Sequence, residues 1–181
     1  MKRSFVFLVS LLMVALFGPS PAQAAHSADS FQLIMEAPNV GVAPNGDHVM
    51  VTGEGEFSAS PKSISASGEF VHLDAVGNVF AEGTWTATSL ISFSFYGCRF
   101  IPALDADLGD DDLCGGAVKM RAMFDTPLGT LPGIITVFCI IGPQAPSSHN
   151  VPSGEGVTVV VPGIINFNHT GGGENVYVRV S

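Results

Sequence analysis

From Phe31 onward, apolar side chains recur at every second position over short stretches, the pattern of strands with one face in a core and one in water. Phe31, Leu33 and Met35 form the first such stretch. Val49 and Val51 lead to Phe57 in the second, and Phe70 to Leu73 form the third. The longest runs from Val79 to Phe95, where Trp85, Ala87, Ile91, Phe93 and Phe95 share one parity. Thr84, Thr86, Thr88, Ser92 and Ser94 occupy the other, interrupted by Leu90. Val118, Met120, Ala122 and Phe124 repeat the alternation with Lys119 and Arg121 outward. Ile134 to Ile141 is apolar on both faces, as expected of a central or doubly covered strand. Val157 to Val161, Ile164 to Phe167 and the set Val176, Val178 and Val180 complete the series.

Turn-forming sequences punctuate these runs at Pro44-Asn45-Gly46, Ser60-Pro61-Lys62, Asp74 to Asn78, Thr126 to Gly129, Gly142-Pro143 and Gly171 to Gly173. Their spacing predicts consecutive hairpins. No segment has a sustained 3.6-residue period, so the chain reads as all-β: an antiparallel β-barrel of about eight or nine strands, with a β-sandwich as the alternative. The long run would span roughly 60 Å if straight, too much for a domain of this size, and Gly83 and Gly97 are the expected bends. Glycine and an acid precede an aromatic in Gly53 to Phe57, Gly68-Glu69-Phe70 and Glu82-Gly83-Thr84-Trp85. This echo points to neighbouring strands sharing a glycine-lined bend whose vacant space an aromatic covers.

Ahead of the strands, Lys2 and Arg3 precede the apolar run Phe5 to Phe17, a Gly18-Pro19-Ser20-Pro21 break and the small-x-small end Ala22-Gln23-Ala24. That order is a signal peptide, residues 1–24, leaving 25–181 as a single all-β domain and implying a secreted or periplasmic protein. The run is too short to cross a bilayer, and no later segment is long and unbroken enough, so no membrane insertion is expected after cleavage. Of the 181 residues 46% are apolar, enough for a packed core, while 13% are charged. The net charge is −9, and losing Lys2 and Arg3 with the leader makes it −11. A chain this acidic lacks the basic face that nucleic acid requires and is disfavoured at anionic lipid surfaces.

Three features carry candidate chemistry. Asp105, Asp107, Asp110, Asp111 and Asp112 place five carboxylates within eight residues, a donor set that calcium could use, although the EF-hand spacing is absent. The alternative is a solvated acidic loop, with no cofactor at all. Cys98 ends the long strand and Cys114 begins the next, so a disulfide between them would close the base of that loop; pairing of Cys139 with either is the alternative to Cys139 as a buried thiol. Third, with Asp74 to Asn78 as the turn, Leu73 faces Val79, Val71 faces Ala81, Glu69 faces Gly83 and Ser67 faces Trp85. That register puts Glu69 on an otherwise apolar face, where a desolvated carboxylate could bind a ligand beside Trp85 or act as an acid. One bulged residue would turn it to solvent. His72, sharing parity with Phe70, reads as a structural histidine. Asn168-His169-Thr170 has the spacing of a glycosylation acceptor.

No nucleophile elbow or metal-ligand histidine pair is present. The expected function is therefore that of an exported, non-catalytic β domain that binds a small apolar or amphipathic ligand or serves in an envelope. The competing class is a cofactor-independent enzyme, an isomerase or lyase, using Glu69 inside a barrel.

Overall fold

The computed structural model of the protein describes residues 29–99, 113–147 and 154–180. The leader and the stretch Asp105–Asp112 lie outside the described residues, so the signal peptide and the calcium loop remain expectations. Nine strands follow one another: β1 (Ser30–Val42), β2 (His48–Ala59), β3 (Lys62–Leu73), β4 (Val79–Arg99), β5 (Leu113–Thr126), β6 (Gly129–Cys139), β7 (Gly156–Val161), β8 (Ile165–Phe167) and β9 (His169–Arg179). They form one antiparallel sheet in which each of β1 to β7 pairs with its successor, as the turn spacing predicts. β9 pairs with β1, and its Tyr177 and Val178 meet Cys114 and Leu113 of β5. A ring of hydrogen bonds thus passes through β1, β2, β3, β4, β5 and β9, while β6, β7 and β8 continue the sheet beyond β5.

The alternation read from the sequence places the core. Phe31, Leu33, Val49, Val51, Phe57, Trp85, Val118, Met120, Phe124, Ile135 and Val137 are buried. The glycine echo has a direct structural meaning. Gly53 lies opposite Gly68, and Gly68 opposite Trp85, so one inward row crosses three strands with a single large side chain. The indole fills the row: a Cβ on Gly53 would stand 2.5 Å from Trp85 Cζ2. Trp85 Nε1 donates to Thr52 O at 2.9 Å, satisfying the indole's one polar atom.

β4 bends as its length demands. Its register with β5 shifts between Ala87 and Ser89, between Leu90 and Ser92, and between Phe95 and Gly97. The first two shifts explain Leu90, which breaks the sequence alternation yet is buried. Gly97 sits at the third with φ 107°, a conformation that favours glycine, whereas Gly83 carries no bulge but closely approaches Asp125 O. In β9 the inward residue is Tyr177, opposite Leu33, so the valines on either side take the other face.

The ends of the rolled sheet differ. At one, Phe31, Phe57, Phe93 and Tyr177 pack ring against ring, with centroids 4.8 Å apart for Phe57 and Phe93 and 5.5 Å for Phe57 and Tyr177. The Cys98–Cys114 disulfide expected from the hairpin joins β4 to β5 there, and Cys139 is a buried free thiol rather than a partner of either. The bridge fits an oxidising compartment. The other end carries the turns 43–47, 74–78, 127–128 and 162–164.

Candidate functional site

The sequence placed Glu69 inside; the structure corrects this. Leu73 does face Val79, but Phe80 then bulges, and from His72 opposite Ala81 onward the register moves by one. Phe70 therefore faces Gly83, and Glu69 faces Thr84 on the outer, exposed side. Trp85 is completely buried against the glycine row.

The bulge that turns Glu69 out also brings Phe80 to the turn-bearing end, where its ring lies 4.9 Å from the ring of His72. His72 points inward with Phe70, its ring 5.0 Å from Phe167 in an edge-to-face contact. Asp47 Oδ2 lies 2.9 Å from His72 Nε2. This hydrogen bond is the main cause that holds the Asp47 carboxyl below its ordinary range. Asp47 is positioned by a tight turn in which Ala43 N–H donates to Asp47 O and Gly46, with φ 90°, donates to Ala43 O.

Beside this pair lies an apolar cleft of about 90 Å³, bordered by Phe70, Phe80, Phe124, Leu131, Val161 and Ile165 among others. Pockets for whole drug-sized molecules run to roughly 300–1,000 Å³, and a cavity of about 150 Å³ holds one benzene. The cleft has room for the end of an alkyl chain or one small apolar group. Two of its bordering residues stand in water, Phe80 of β4 at 75% exposed and Ile164 at 62%, and on turns at the same end Val76 is 82% exposed and Leu128 99%.

These turns are tied down. Asp74 Oδ1 accepts the N–H groups of Val76 at 3.0 Å and Asn78 at 2.8 Å, and Asp74 Oδ2 accepts from Asn78 Nδ2. Leu128 N–H donates to Thr126 Oγ1, whose hydroxyl donates to Gly129 O. The apolar tips are held outward by polar turn chemistry. The sequence did carry a signal for two of them: Val76 and Leu128 are large apolar residues inside turn-forming segments, where water-seeking residues are usual, whereas Ile164 reads as the start of a strand.

A second polar cluster lies in the body of the fold. Glu155, just before β7, accepts the N–H of Ile140 at 3.0 Å and of Asn175 at 3.4 Å. Asn175 Nδ2 donates to Asn39 Oδ1 and Phe138 O, and Tyr177 donates its hydroxyl to Val137 O at 2.9 Å. Burial pushes the Glu155 carboxyl up and the Cys139 thiol to about 12. A thiol so hard to ionise is no nucleophile, and this cluster ties β1, β6 and β9 together. Among the described residues no group of three His, Cys, Asp or Glu could hold a metal ion. Asn168 is exposed between β8 and β9, while Thr170 is buried.

Comparison with protein-family models, with curated proteins and with solved structures finds no match to this chain.

Proposed function

We propose that this protein is an exported, non-catalytic binding domain that seats the apolar end of a small amphipathic molecule in the cleft between Phe80, Leu131 and Ile165. The observation that carries this reading is the exposure of Phe80 and Ile164 at the border of an apolar cleft, with Val76 and Leu128 held in water on hydrogen-bonded turns at the same end. Such exposure costs solubility and marks an interaction surface. The Asp47–His72 pair beside the cleft supplies the polar contact for a headgroup. No lysine or arginine stands on the four turns at this end, so the ligand is uncharged, zwitterionic or cationic rather than anionic. The enzyme alternative loses its named residue with Glu69 on the outer face.

The test is calorimetric titration with octyl glucoside below its micelle concentration. The wild type is expected to bind saturably, and Phe80→Asp and Ile164→Asp are expected to abolish binding while keeping the fold. Equal binding by both variants, or none by the wild type, would count against the reading.

A further inference from the structure

β3 and β4 are hydrogen-bonded from the Leu73–Val79 rung to the Ser67–Thr86 rung and then part. Beyond it β3 is paired only with β2, and β4 only with β5. In unbroken register Lys62 would face Ile91. The two do meet, but through the lysine side chain, whose Nζ donates to Ile91 O at 2.9 Å. Between that bridge and the last rung, Ser63 to Ala66 have no partner strand on the β4 side. A groove of about 470 Å³ opens there, bordered by Ile64, Ser65 and Ala66 on one lip, Thr86 and Ala87 on the other, and Glu54 and Glu56 alongside.

A row of unpaired main-chain donors and acceptors is complementary to one kind of partner, another extended backbone. The two lips are unequal templates. β3 keeps perfect register with β2 from Lys62 to Leu73, whereas β4 is bulged twice opposite the gap. Lys62 to Ala66 would pair with about five residues, the usual length of a strand. Glu56 lies directly across from Ser65, and Glu54 from Ser67; both are exposed and carry no ion pair among the described residues. A second copy of a chain with net charge −9 would be repelled here, while lysine or arginine side chains would be attracted.

We infer that the β3 edge at Lys62–Ala66 binds an extended peptide segment bearing basic side chains, added antiparallel in the place β4 vacates. The site is separate from the apolar cleft at the turn-bearing end.

The probe is a capped seven-residue peptide of alternating lysine and threonine, with the binding isotherm and amide hydrogen exchange of the full chain as readouts. Saturable binding should slow exchange at the β3 amides between Ser63 and Ser67 that face the gap. Glu54→Lys with Glu56→Lys should weaken binding about tenfold or more, since like charges then oppose the peptide. Lys62→Ala, which removes the bridge across the gap, should tighten it. The proposal is overturned if a peptide N-methylated at alternate residues binds equally well, which would make the attraction purely ionic. It is also overturned if a glutamate-for-lysine peptide binds equally, if protection appears elsewhere, if these amides are already protected in the free protein, or if the chain self-associates through this edge instead.

Discussion

The two ends of the rolled sheet use the same kinds of residue for opposite purposes. At the disulfide end Phe31, Phe57, Phe93 and Tyr177 close on one another, and ring contacts do the sealing. At the turn-bearing end Val76, Phe80, Leu128 and Ile164 stand in water although Phe70, Phe124 and Phe167 lie buried beneath them. Lack of core-forming material does not explain the difference, because large aromatic side chains are buried at both ends. What separates the ends is the hairpin chemistry. Asp74 and Thr126 spend their side chains on fixing turns whose apolar tips point away from the core. Stability should therefore reside in the glycine row and the disulfide end, and recognition at the turns.

Changes to the core should show the largest effects. Trp85→Ala removes the side chain that fills the space over Gly53 and Gly68 and should cost about 3–5 kcal/mol, read from the denaturant midpoint. Replacing Cys98 and Cys114 by serine releases a cross-link with a sequence separation of 16. That should cost about 3 kcal/mol under the loop-entropy account, yet leave octyl glucoside affinity unchanged. A fall in affinity along with stability would show that the ends are coupled.

Phe80→Asp and Ile164→Asp reverse the pattern, with stability within about 0.5 kcal/mol of wild type and binding lost. The smallest effect belongs to Asp47. Its folded carboxyl titrates below the ordinary 3.8 because His72 hydrogen-bonds it. The stabilisation is therefore present above 3.8 and is lost as pH falls through the lower folded value. Asp47→Asn should flatten this acid-side slope in melting temperature.

Most of the strand order was legible because alternation and turn sequences are local signals, and the disulfide followed from hairpin adjacency. The site was less legible because a single bulge controls it. Phe80 looks like one more strand residue, yet skipping it moves Glu69 from core to water and sets a phenyl ring beside His72. A period-two pattern records parity but not where parity is broken. Leu90 shows the converse: the sequence made it an exception, and two bulges in β4 make it core. The Asp47–His72 contact joins the β1–β2 turn to strand β3, a proximity that depends on how β2 and β3 pair.

Methyl-resolved NMR during a titration with octyl glucoside compares both ends in one sample and tests the central claim most directly. Saturable shifts confined to Leu131, Val159, Val161, Ile164 and Ile165, with Leu33, Val118 and Met120 unmoved, are the expected result. Shifts centred on the buried core or the disulfide end, or none at all up to the micelle concentration, would contradict it.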